Sequence, residues 1–115
     1  MILYGIPNCD TVKKARVWLD GAGVAYSVHD YKTAGVNETD LKRWCAAKGW
    51  ETVLNRAGTT FKKRPDNDKA DLNETKAIAL MLAQPSMIKR PVLEGGGGLL
   101  IIGFKPEIYA SALKA

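Results

Sequence analysis

Between Ile2 and Tyr31 the hydrophobic period of the chain changes twice, and that change limits what it can fold into. Ile2-Leu3-Tyr4 is a short apolar run closed by Gly5 and Pro7, which suits a buried strand ending in a turn. From Cys9 or Asp10 to about Ala22 the pattern is helical. Val12, Ala15, Leu19 and Ala22 fall on one face, while Lys13, Lys14 and Asp20 point elsewhere. Gly21 and Gly23 supply the stop. Ala25 to Tyr31 then alternates as a second strand does. A strand, a helix and another strand in about 30 residues make a βαβ unit with a parallel pair.

The remainder of the chain reads as helices, then a hairpin, then a helix. Asn37 is a candidate N-cap with Asp40 three residues on, and Leu41, Trp44 and Cys45 share a helical face that Gly49 ends. Trp50 to Asn55 reads as a short helical piece, and residues 59–72 as a polar surface loop with one helical turn. Asn73 or Asp71 caps a stronger helix, Glu74 to Gln84, with Ile78, Met81 and Leu82 inward and Pro85 closing it. Pro91-Val92-Leu93 and Leu99 to Ile102 flank four glycines as a hairpin. Pro106 opens a last helix with Glu107 in its first turn and Ile108, Ala112 and Leu113 along one face. This order predicts an α/β protein with the thioredoxin-like arrangement, a mixed four-stranded sheet with a helical insert. At 115 residues, a single domain over 1–115 is expected, with no spare length for a second core.

Charge and composition narrow the function class. The formal charge is +5, but the densest basic cluster, Lys62-Lys63-Arg64, is followed by Asp66, Asp68 and Asp71. A one-sided basic stripe is missing, so nucleic acid is not an expected partner, whereas a pull on small anions is. No apolar run approaches the roughly 20 residues that span a bilayer, and no basic segment precedes an apolar one at the N-terminus. The expectation is a cytoplasmic monomer, with no membrane partner and with reduced thiols. The two cysteines form no disulfide framework, and neither a CxxC spacing nor a second ligand pair suggests a metal.

Cys9 sits where a helix start offers unpaired N–H groups and the positive end of its dipole, both of which favour an anionic sulfur. Lys13 and Arg16, one and two turns on, add positive charge, and Asp10 opposes it. The competing reading is a buried structural cysteine. Cys45, beside Leu41 and Trp44, reads as core. Val12 stands where a CxxC motif would place its resolving cysteine, so a reactive Cys9 must take its second thiol from glutathione or from a distant cysteine. His29, the only histidine, is far from Cys9 in sequence and reads as structural. The glycines make neither a dinucleotide fingerprint nor a phosphate-binding loop. Arg56, before Ala57-Gly58, and Arg90, before Pro91, are either surface charges or forks for an anionic ligand.

With these pieces in place the chain resembles the arsenate-reductase-like (ArsC/Spx/YffB) family of thioredoxin-like proteins over almost its whole length. The resemblance rests on Cys9-Asp10-Thr11 after a strand, Leu54-Asn55-Arg56, Leu80 through Pro91, and Gly103-Phe104-Lys105-Pro106-Glu107. The runs Tyr4 to Ala15 and Gln84 to Pro91 are most similar to the YffB branch. It implies that Cys9 is the redox cysteine and that Thr11 and nearby N–H groups stabilise its thiolate. It also implies that Arg56 and Arg90 line an anion pocket beside it, and that Pro91 is a cis-proline facing it. Glutathione-coupled arsenate reductases of the family carry a histidine where this chain has Gly5, and a third arginine where it has Lys105. Lysine keeps that charge but loses the bidentate fork. The Spx branch, which binds RNA polymerase, typically carries a CxxC switch that Val12 removes.

The expected function is a glutathione-dependent thiol/disulfide reductase. Cys9 is catalytic, Thr11 and Lys13 stabilise the thiolate, and Arg56, Arg90, Pro91 and Lys105 hold the anionic ligand. No cofactor is expected to be bound; glutathione is the co-substrate, and the substrate is an oxidised thiol or a small oxyanion. The alternatives are an arsenate reductase and a non-enzymatic regulator of the Spx type.

Overall fold

The computed structural model describes residues 1–113. In chain order the elements are β1 (Ile2–Gly5), α1 (Asp10–Gly21), β2 (Ser27–Asp30), α2 (Tyr31–Ala34), α3 (Glu38–Lys48), α4 (Trp50–Val53) and α5 (Thr59–Lys62). They continue with α6 (Asp66–Lys69), α7 (Glu74–Ala83), a 3-10 turn (Pro85–Met87), β3 (Val92–Glu94), β4 (Leu100–Ile102) and α8 (Pro106–Leu113). The chain forms two compact units, one of residues 1–34 and 90–113, the other of residues 35–89.

The first unit carries the sheet, in the order β2-β1-β3-β4. β1 and β2 are parallel, as the βαβ reading requires, while β1–β3 and β3–β4 are antiparallel. This mixed four-stranded sheet with helices is the thioredoxin-like architecture expected from the element order. The register sets Leu3 beside Leu93 and Leu93 beside Ile101, so one row of side chains crosses three strands. That row packs with Val12, Ala15 and Leu19 of α1 and Tyr109 of α8 into the core of the unit. The opposite face carries Tyr4, whose ring lies 5.2 Å from that of His29 and whose hydroxyl donates to Glu94 at 3.4 Å. The glycine turn of the hairpin places Gly97 and Gly98 at positive φ, where a side chain is strained.

Two parts of this unit differ from the sequence expectation. β2 stops at Asp30, and Tyr31 opens a helical turn instead of ending the strand. The Asp30 carboxylate accepts from the Lys32 N–H at 3.0 Å and the Thr33 hydroxyl at 2.5 Å, a local capping pattern that competes with the ladder. The Thr33 bond, opposed by partial desolvation and assisted by the backbone N–H groups, holds that carboxyl below its ordinary range. In α8, Ile108 is exposed and Ala112 lies on the surface; Leu113 packs against the core as expected, and Tyr109 is the residue that is fully buried. Trp18 and Phe104 both stack edge-on against its ring, and that aromatic contact sets the rotation of the helix.

The second unit is helical. Asn37 caps α3 by accepting from the Asp40 N–H at 2.8 Å, and Asn73 caps α7 by accepting from the Lys76 N–H at 2.9 Å. Leu41, Trp44 and Cys45 are buried as their spacing predicts, and Gly49 ends α3 at φ 87. From α7 the buried residues are Ala77, Ile78, Leu80 and Met81, with Leu82 only half-buried. Residues 59–72 contain two helical turns rather than one, because Phe61 is buried and Arg64 pairs with Asp68 at 2.6 Å. No helix among the described residues is long and apolar enough to cross a membrane.

Two stability outcomes follow. Asn73→Ala should lower the free energy of unfolding by about 1 kcal/mol in chemical denaturation, since it orphans a first-turn amide. Tyr109→Phe should leave the protein as stable or raise its melting temperature. The hydroxyl is fully buried and has no hydrogen-bond partner among the described residues, so removing it removes a desolvation cost of about 1–3 kcal/mol. A lower melting temperature for Tyr109→Phe would show that the hydroxyl is bonded in solution.

Candidate active site

β1 delivers the chain to a turn, Ile6-Pro7-Asn8-Cys9, in which the Cys9 N–H donates to the Ile6 carbonyl at 3.1 Å. Pro7 occupies the turn position whose φ proline already supplies. Cys9 is the N-cap of α1, with extended backbone at φ −105 and ψ 131, and its carbonyl accepts from the Lys13 N–H at 2.9 Å. Its side chain is half-buried and caps none of the first-turn amides. The N–H groups of Asp10, Thr11 and Val12 therefore remain at the positive end of the helix beside the sulfur. Thr11 and Lys13 are both exposed on this first turn.

Behind the cysteine, three residues fit together. A side chain at Gly5 would begin 2.9 Å from Val12 Cγ2 and 3.8 Å from Pro91 Cβ. Val12 is completely buried, so α1 rests on bare backbone at the end of β1. The Arg90–Pro91 peptide bond is cis, as the resemblance implies, and the Pro91 carbonyl accepts from the Gly103 N–H at 2.8 Å. Gly5 thus does more than lack a histidine: its empty Cβ position is what Val12 occupies.

The structure adds one residue that sequence reasoning passed over. Tyr31 is fully buried, and burial pushes its phenol well above the usual range. The positive charge of Arg90 opposes that shift, while Cys9 and Asp30 add to it, so Arg90 and Cys9 each act electrostatically on Tyr31. Tyr31 is a neutral hydroxyl at physiological pH. A signal for it existed: it directly follows a strand parallel to β1, and parallel strands end on the same edge of a sheet.

Of the other expected residues, Arg90 is half-buried next to buried Pro91. Lys105 is exposed, and its carbonyl accepts from the Ile108 and Tyr109 N–H groups at the start of α8. Neither side chain forms an ion pair among the described residues. Arg56 belongs to the second unit, where its guanidinium lies 5.6 Å from the centre of the Trp50 ring. There it lines a pocket of about 460 Å³ that also includes Glu51, Asn55 and Lys89.

The two thiols are in contrasting settings. Cys45 is 2% exposed, and burial, with a smaller contribution from Glu74, pushes its thiol up to about 11. No cluster of His, Cys, Asp and Glu that could hold a metal ion occurs among the described residues.

Comparison with known proteins agrees with this fold. The ArsC family model matches residues 4–112. The solved structure of the YFFB (PA3664) protein is 65% identical, covers 97% of each chain and superposes with a TM-score of 0.94. An arsenate reductase (ArsC) related protein from Brucella melitensis is 50% identical, with a TM-score of 0.76, over 99% of this chain and 94% of its own. An uncharacterized protein of Haemophilus influenzae is 36% identical over 110 residues, 96% of each chain.

Two measurements test the site. Alkylation of the folded protein at about pH 8 should give a single adduct, on Cys9, with Cys45 reacting only after unfolding. An adduct on Cys45 in the native state would contradict its burial. Gly5→Ala should destabilise by about 1–3 kcal/mol through overpacking, and Val12→Ala in the same chain should recover part of that loss. Equal effects of Gly5→Ala with and without the Val12 change would show that the two positions do not share space.

Proposed function

The chain belongs to the ArsC family, and from that premise we propose that it is a glutathione-dependent thiol/disulfide reductase whose single reactive group is the sulfur of Cys9. The similarity to an arsenate reductase (ArsC) related protein supports a thiol-based reductase in the broad sense. The observation that carries the finer reading is the isolation of Cys9. It is the only cysteine of the first unit, Val12 fills the place of a resolving thiol, and Cys45 is buried in the second unit. A lone thiol of this kind completes a cycle only with a second thiol from solution.

In the cycle, the Cys9 thiolate attacks one sulfur of a substrate disulfide. A Cys9–S–S bond forms, and the departing sulfur leaves as a thiolate and takes up a proton. When the attacked sulfur belongs to glutathione, a second glutathione thiolate attacks that sulfur, oxidised glutathione leaves, and the Cys9 thiolate is regenerated. The net change is one disulfide reduced and two glutathione sulfurs joined, so the electrons balance without a bound cofactor. Thr11, the first-turn amides of α1 and Lys13 favour the thiolate form of the cycle. Arg90, in bidentate fashion, and Lys105 bind the carboxylates of glutathione next to Pro91. Arg56 is an anion-binding group of the second unit. The reducing environment this requires is that of the cytoplasm, with the protein acting as a monomer.

Arsenate is the weaker substrate. Gly5 leaves no side chain at the place of the histidine, and Lys105 offers a point charge where a third fork would grip an oxyanion. The test is turnover with glutathione across a panel of model disulfides and arsenate. The expected result is reduction of the disulfides, little or none of arsenate, and loss of about a thousandfold or more in Cys9→Ser. Turnover of arsenate alone, or of nothing in the panel, would overturn the reading.

A further inference from the structure

Beside α1, within two turns of Cys9, lies a pocket of about 440 Å³ that the thiol chemistry above does not use. Val17, Trp18, Phe104 and Pro106 form its apolar wall, and Lys13 and Lys14 complete the lining, which contains no carboxylate. Val17 is 72% exposed on a helix whose other outward residues are mostly charged. The wall is preformed, because Trp18 and Phe104 are held edge-on against buried Tyr109 at 5.5 and 4.7 Å between ring centres. Lys13 and Lys14 form no ion pair among the described residues, so their charge is available to a partner.

We propose that this pocket docks the protein substrate of Cys9, receiving an aliphatic or aromatic side chain flanked by a carboxylate from a polypeptide with a glutathionylated cysteine. The inference rests on the reductase reading and adds its substrate class. Lys13 and Val17 stand at i and i+4 on α1, and Cys9, its N-cap, lies four residues before Lys13. The rise of a helix sets Val17 about 12 Å along the axis from Cys9. A span of that size corresponds to about four residues of extended chain, which a polypeptide bridges while its cysteine stays at the thiol. The two cations select an acidic neighbour for the apolar anchor, and a second copy of this face would bring like charges together. In the reaction Cys9 takes the glutathionyl sulfur, the protein thiolate leaves and is protonated, and a further glutathione regenerates Cys9 as oxidised glutathione departs.

The test uses the full chain and two glutathionylated peptides of equal length. One carries Leu-Glu about four residues from its cysteine, and the other carries Ser-Lys there. Wild type should turn over the first with a kcat/KM about tenfold above the second. Val17→Glu and Lys14→Glu, both at exposed positions outside the thiol site, should remove that preference while leaving turnover of the glutathione–mercaptoethanol disulfide within about twofold. Cysteine-to-serine versions of the peptides, titrated while Trp18 and the Val17 methyls are followed by NMR, give a readout independent of chemistry. Turnover of the small disulfide with equal rates on both peptides overturns the docking surface and leaves the reductase. Peptide binding at Val17 and Trp18 with no disulfide turned over overturns the reductase reading and leaves the surface. Association with anionic phospholipid vesicles that Val17→Glu abolishes, with no peptide preference, assigns the pocket to a membrane and overturns the proposal.

Discussion

Val12 packs onto the uncovered backbone of Gly5, and the position of Cys9 depends on that contact. With no Cβ at residue 5, α1 approaches the end of β1 closely enough for a β-branched side chain to fill the gap beside Pro91. The same approach fixes the short turn from Ile6 to Cys9, whose single hydrogen bond leaves the cysteine as the N-cap rather than inside the helix. The three residues therefore constrain one another. A larger residue at 5 pushes on Val12, and moving Val12 moves the helix start that holds Cys9. The glycine at position 5 and the valine at the place of a second thiol are two sides of one packing solution.

That solution gives the chain one thiol in each setting that proteins offer. Cys9 stands half-buried at the N-cap of α1, beside the first-turn amides, with the neutral phenol of Tyr31 within electrostatic reach. Cys45 stands among apolar side chains that hold its proton on up to about 11. The two thiols are thereby distinguished by environment rather than by sequence motif: burial keeps Cys45 protonated, while Cys9 is only half-buried. Arg90 and Lys13 are without ion pairs among the described residues.

Much of this was legible in the residues. The change of hydrophobic period before and after α1 gave the parallel pair, and the side chains of Asn37 and Asn73 marked two helix starts that the hydrogen bonds bear out. The glycine run located the hairpin, and a cysteine following Gly5 and Pro7 located the thiol. What escaped was decided by tertiary contact or by a single side chain. Tyr31 reads as the last residue of a strand until Asp30 is seen to bond forward to Lys32 and Thr33. Helical spacing allows either Ile108 or Tyr109 to face inward, and the aromatic pair Trp18 and Phe104 chooses Tyr109. The second turn in residues 59–72 carries an i,i+4 ion pair between Arg64 and Asp68, a weak local signal among so many polar residues. The role of Gly5 as a space for Val12 was hidden for the same reason, since an absent side chain carries no pattern of its own.

The central claim is that Cys9 works as a lone thiol completed from solution. Mass spectrometry of the native protein, quenched with acid at intervals after mixing with oxidised glutathione, tests it most directly. The account predicts one glutathione adduct, on Cys9, which disappears when reduced glutathione is added and never converts to an internal bond. A disulfide between Cys9 and Cys45, or an adduct on Cys45 alone, would contradict it.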